Sequence, residues 1–168
     1  MVTQLQHTKE IVDVAIIAPE LAVTPAREDA DAKLATLLRK VENANLLVVG
    51  TPVVNGSCTG LLKHLLDLVR PSISHDAVAI VAATDRGDCN FLALEFSLRP
   101  LLRQLGYYTV PTAVFARDDD FVDLYVAQEA VILGARRAVG DAFQTLGLDP
   151  PFTAFLAGLS AIRATCSS

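Results

Sequence analysis

The sequence has no apolar run long enough to cross a bilayer. The longest, Ala77 to Ala83, falls far short of the roughly 20 residues a spanning helix needs. The first ten residues, MVTQLQHTKE, are polar and lack the apolar core of a secretory signal. Cysteine is scarce and odd in number: Cys58, Cys89 and Cys166 are far apart and form no CxxC pair, so neither a disulfide framework nor a zinc site is expected. The histidines His7, His64 and His75 are as scattered, and no metal is expected. Basic residues are not in excess: 14 Lys and Arg face 19 Asp and Glu, a formal charge of −5, which argues against nucleic acid or an anionic membrane surface as a partner. There is no internal repeat and no low-complexity linker. One domain over residues 1–168 is expected, frayed at 1–10 and 165–168, in a cytoplasmic protein with free thiols.

What is present is apolar and ordered by period. About half the residues (52%) are hydrophobic, 20% are charged, and the mean hydropathy is +0.40, values that suit helices buried on more than one side. Four runs rich in Val, Ile and Ala are nearly continuous in hydrophobicity: Ile11–Ala18, Leu46–Gly50, Ala77–Ala83 and Thr109–Ala116. Parallel strands covered on both faces have this composition. Between them, Asp29–Glu42, Gly60–Val69, Phe91–Leu105 and Phe121–Leu146 carry apolar residues at three- and four-residue steps, the helical spacing, with a break in the last expected near Gly134 or Gly140. Alternation of strand and helix predicts an α/β fold with a parallel sheet, here of four strands, and right-handed crossovers. A further apolar segment, Phe152–Ala164, reads as a final helix.

In an open parallel sheet, ligands bind beyond the carboxyl ends of the strands. Three such ends stand out. The second run leads into Thr51-Pro-Val-Val-Asn-Gly-Ser-Cys-Thr-Gly60, where Asn55-Gly56 favours a tight turn and leaves backbone amides open to a planar ligand or an anion; an ordinary strand-to-helix turn has the same composition. The third leads into Thr84-Asp-Arg-Gly87, followed by Asp88, where Arg86 has the chemistry to hold a phosphate but is as readily paired with Asp85 or Asp88. The fourth leads into Asp118-Asp-Asp120, a run suited to a cation but more often found capping the helix that follows.

Residues 44–69 (ANLLVVGTPVVNGSCTGLLKHLLDLV) closely resemble the flavin-binding core of the NAD(P)H-dependent FMN reductases. That family has a strand, then Ser/Thr-Pro-x-Tyr-x-x-Ser-x-x-Gly-x-Leu-Lys, then a helix with Asp four residues after the Lys. Thr51, Pro52, Ser57, Gly60, Leu62, Lys63 and Asp67 fall in place. Residues 92–106 (LALEFSLRPLLRQLG), then Val110–Ala116 and Asp120-Phe121, are similar to the subgroup that supplies reduced flavin to alkanesulfonate and methanesulfonate monooxygenases. The resemblance covers about residues 11–147. It implies a flavodoxin-like three-layer fold, FMN and NAD(P)H as cofactors, and hydride transfer to the flavin with no acid–base residue. It also implies a flavin-dependent monooxygenase as partner, and a homodimer or homotetramer joined around Phe96 with a π-type bulge there. The implied flavin contacts are Thr51, Pro52, Val53, Val54, Asn55, Gly56 and Ser57 on one wall and Thr84, Asp85, Arg86 and Gly87 on the other.

Three departures fall on that one site. The family's first strand and Gly-Ser-rich phosphate loop have no counterpart: no glycine precedes Gly50, and Pro19 to Pro25 is a turn with two prolines and Glu20. The family Tyr beside the flavin is Val54, and the Gly-Gly pair after the third strand is Asp85-Arg86, where Asp85 disfavours an anionic reduced flavin. The alternative these departures support is a non-catalytic flavodoxin-like oligomer acting as scaffold or regulator.

Overall fold

A computed structural model of the chain describes residues 10–71, 76–86, 91–123 and 125–148. Its centre is strand β2 (Val78–Asp85), buried on both faces. On one side β2 pairs in parallel with β1 (Leu46–Pro52), from Leu46 opposite Val78 to Pro52 opposite Thr84. On the other it pairs in parallel with two short strands, β3 (Tyr108–Thr109) and β4 (Val114–Arg117). The sheet is thus parallel and four-stranded, as the α/β reading expects, but its strands are not the four expected.

Two corrections explain the difference. The run Thr109–Ala116 is divided into β3 and β4 around Pro111, which has no amide to give to the ladder. The run Ile11–Ala18 is not a strand: it turns at residues 14–17 and enters the short helix α1 (Ala18–Ala22). A strand exists only with a neighbour, and among the described residues the far edge of β1 pairs with nothing. Residues 11–18 therefore take no place beside β1 in the sheet. On β1 the outer face stays bare, and Val48 is 61% exposed.

The helices form two unequal layers. Helices α2 (Ala32–Glu42) and α3 (Gly60–Leu68), a π-helical turn over Leu94–Leu98 and α4 (Arg99–Gln104) cover one face. Their Leu34, Leu38, Leu62, Leu66, Leu94, Leu98 and Leu102 pack on Val49, Ala79 and Val81. Helix α2 begins at Ala32 because Asp31 caps it, its carboxylate accepting from the Leu34 amide at 2.7 Å. The other face carries helix α5 (Glu129–Thr145), with Ala138 and Ala142 against Val78 and Ile80. Helix α5 runs unbroken through Gly134 and Gly140. It starts later than expected because β5 (Phe121–Val122) and β6 (Tyr125–Val126) pair antiparallel before it.

Helix α1 is tied down by α3: His64 Nε2 donates to the carbonyls of Leu21 (3.1 Å) and Thr24 (3.0 Å). No helix among the described residues is long and apolar enough to cross a membrane. The expected final helix Phe152–Ala164, the termini expected to fray, Gly87, Cys89, Cys166, His7 and His75 lie outside the described residues, apart from Glu10.

Candidate functional site

Strands β1, β2 and β4 finish side by side, with Pro52 opposite Thr84 and Asp85 opposite Arg117. Beyond β1, Val53 stays on the sheet by donating its amide to the Thr84 carbonyl at 2.8 Å. Val54 and Ser57 then exchange two backbone hydrogen bonds, 2.9 and 3.1 Å, which close a two-residue turn. Both central residues are left-handed, Asn55 at φ 51° and Gly56 at φ 75°, the conformation that this residue pair tolerates best. The tight turn expected from Asn55-Gly56 is present. Its tip is open: among the described residues the Asn55 and Gly56 amides have no partner, and a Cβ added at Gly56 would meet nothing within 4 Å. Val54 stands beside it, half-exposed.

The base of the loop is fixed from within. Thr51 is buried; its hydroxyl donates to the Pro52 carbonyl (2.9 Å) and accepts from the Thr59 amide (3.2 Å). Thr59 in turn caps α3 by accepting from the Leu62 amide at 3.3 Å. Ser57 reaches the π-helical turn, its hydroxyl 2.7 Å from that of Ser97, and both hydroxyls lie about 4 Å from Cys58 Sγ. Lys63 and Asp67, which match the family spacing, pair with each other at 2.5 Å on the exposed face of α3 and hold the helix rather than the loop.

The opposite wall comes from β2. Thr84 and Asp85 are half-buried, and Arg86 is largely exposed. Of the two candidates singled out from the sequence, Asp85 accepts the Arg86 amide at 2.7 Å and Asp88 lies outside the described residues; the Arg86 guanidinium Nε sits 3.3 Å from Asp118 Oδ2. The acidic run is also placed differently from expectation. It forms a single 3-10 turn, and α5 begins only at Glu129. Asp120, buried, caps that turn by accepting from the Arg117 amide at 2.7 Å, while its carbonyl accepts from the Ala127 amide at 2.7 Å and anchors the β5–β6 pair. No group of three His, Cys, Asp or Glu suited to a metal occurs among the described residues. Sequence reading missed Ser97 and Asp118 as partners of the two walls; a polar residue beside Phe96 in an apolar helix was the signal for the first.

A separate open groove of about 520 Å³ lies between β4 and the start of α5, lined by Phe115, Arg117, Asp120, Gln128 and Val131 among others. It shares no residue with the 51–57 loop or with Thr84–Arg86.

Residues 1–121 match the family described as NADPH-dependent FMN reductase. The chain is 36% identical over 132 residues to an FMN reductase (NADPH) of Pseudomonas aeruginosa, an alignment covering 76% of this chain and 71% of that protein. It is 37% identical over 138 residues to the NADH-dependent FMN reductase SfnE of Pseudomonas putida, covering 79% and 74%. Among solved structures it is similar to an NADH:FMN oxidoreductase in its apo form, with TM-score 0.68 and 28% identity over 84% of this chain and 73% of the other. An oxidoreductase from Corynebacterium diphtheriae gives TM-score 0.65 and 29% identity, covering 81% and 74%. With the parallel sheet, the loop after β1 and the sequence likeness in agreement, the chain belongs to the NADPH-dependent FMN reductase family.

Proposed function

We propose that the chain is a flavin reductase that accepts hydride from NAD(P)H on FMN and passes the reduced flavin to a partner monooxygenase. Family membership carries the reaction; the open Asn55-Gly56 turn at the carboxyl end of β1 carries the location. Its relatives are named for NADPH in one case and NADH in another, so either coenzyme is a candidate.

The two halves of FMN fare differently against the residues present. The ring half fits. Val54 offers an exposed apolar contact, and the amides of Asn55 and Gly56 are donors for ring carbonyls in a place with room beside them. Pro52, Val53 and Ser57 frame that wall, Thr51 braces it, and Thr84, Asp85 and Arg86 form the other. The phosphate half does not fit: among the described residues the cations around the strand ends are already held by carboxylates. When bound, the flavin itself supplies the hydride chemistry. The protein's share is to orient the ring, through a loop locked at Thr51, Thr59 and Ser57, and to screen it from water. No side chain is assigned as acid or base. A homodimer or homotetramer is part of this reading, with the exposed Phe96 of the π-helical turn at the contact.

The non-catalytic alternative is favoured by one observation: Asp85 and Arg86 place side chains where the family resemblance leads one to expect bare glycine backbone beside the ring. Titration of the purified chain with FMN, followed by flavin fluorescence and then by NAD(P)H oxidation, separates the two. Saturable micromolar binding with turnover is expected; a folded chain that leaves FMN free at high micromolar concentration overturns the reductase reading and points to protein partners.

A further inference from the structure

We propose that this site recognises the flavin by its ring alone, so that riboflavin and FMN bind with equal strength. The inference rests on the flavin reading of the 51–57 loop and specifies which part of the flavin that loop and its surroundings select.

Charge at the strand ends carries the argument. Among the described residues, the ends of β2 and β4 and the turns after them carry Asp85, Arg86, Arg117, Asp118, Asp119 and Asp120, four carboxylates against two guanidinium groups. Both cations have a carboxylate partner. Arg86 Nε lies 3.3 Å from Asp118 Oδ2, and Arg117 Nη2 lies 3.9 Å from Asp120 Oδ1, with its own amide on the same carboxylate at 2.7 Å. The next cation along the loop, Lys63, is paired with Asp67. A phosphate monoester brings a charge of about −1.5 to −2 near neutral pH. Here it meets a surplus of negative charge and competes with a carboxylate at each cation.

The start of α3 gives it little more. The Leu62 amide is taken by the Thr59 hydroxyl and the Thr59 amide by Thr51, so part of the donor set that helix N-termini offer to anions is already spent. The open features are of another kind: two backbone amides at Asn55 and Gly56 and the half-exposed Val54. Those match a flat, neutral heteroaromatic ring with carbonyl oxygens. Binding energy therefore comes from the ring, which riboflavin and FMN share, and the phosphate contributes nothing net.

The test is a pair of fluorescence titrations of the full chain, with riboflavin and with FMN, at low ionic strength, where any phosphate contact is strongest. The dissociation constants are expected to agree within about threefold; a preference for FMN beyond that overturns the inference and leaves the flavin reading standing. If neither flavin binds a folded chain, the flavin reading falls and the inference with it. Asp118→Asn adds a second reading by freeing Arg86. The variant is expected to tighten FMN by about tenfold with riboflavin unchanged, as a charge-assisted contact becomes available. Arg86→Ala, in contrast, is expected to leave the ratio of the two constants where it was; a selective loss of FMN binding in that variant also overturns the inference.

Discussion

The hydroxyls of Ser57 and Ser97 lie 2.7 Å apart, joining the loop that ends β1 to the π-helical turn that opens the α4 segment. The two residues are 40 positions apart in sequence, and Cys58 Sγ lies close to both. The bond connects the candidate flavin wall to a helix that carries the exposed Phe96. Ser97→Ala removes one partner of a part-buried pair. The expected cost is about 1 kcal/mol of folding stability in urea melts, with a flavin dissociation constant raised several-fold as the Ser57 end of the loop loosens. Unchanged flavin affinity in a destabilised variant would make the bond a matter of packing alone.

Tyr107 supplies a pH signature. Its side chain is fully buried, and its hydroxyl donates to the Val41 carbonyl in α2. Burial first, and then the nearby Glu42 carboxylate, push its pKa up from the ordinary 10 to about 12. A phenol that ionises later in the folded chain than in the unfolded one stabilises the fold fully below pH 10. That stabilisation is lost as pH rises from 10 through 12. The two-unit window corresponds to at most about 3 kcal/mol. Urea melts between pH 9 and pH 12 are expected to show a steeper loss of stability in the wild type than in Tyr107→Phe, which gives up about 1 kcal/mol at neutral pH for the lost hydrogen bond. Parallel curves for the two proteins would remove Tyr107 as the cause.

Much of this was legible in the sequence, and what was not has a physical reason. Strands β1 and β2 declare themselves because both are Val- and Ala-rich runs ended by turn formers, and both find a partner in the other. Ile11–Ala18 has the same composition and fails as a strand because composition cannot show whether a neighbour exists; Ile11 and Ile16 are each more than 70% exposed as a result. Pro111 marked the break between β3 and β4 in plain sight. The antiparallel pair β5 and β6 hid inside an apparent helical period, with Asp123 between them left-handed at φ 49°. At the site, the loop from Thr51 to Ser57 was readable from spacing. Its ties to Ser97 and Asp118 were not, since a side chain's partner across the fold leaves no periodic trace.

Phe96 is the largest apolar side chain left bare on that helix, 78% exposed, with Phe91 and Leu92 half-exposed nearby. Two residues from each of the leucines that flank it, Phe96 falls on the helix face opposite the core. Leu94 and Leu98, on either side of it, are both buried. An exposed aromatic of this size, flanked by further apolar surface, has the composition of an interface anchor. If the chain is a homodimer or homotetramer joined there, Phe96→Glu places a charge at the centre of the contact. The expected cost is at least about 2 kcal/mol of association energy, enough to weaken assembly by about thirtyfold. Sedimentation velocity at tens of micromolar chain is expected to show a drop in mass for Phe96→Glu, with the far-ultraviolet circular dichroism of the wild type retained. An oligomer of unchanged mass would move the contact elsewhere. A wild-type chain that sediments as a monomer would remove the assembly, and leave Phe96 as surface offered to a different protein.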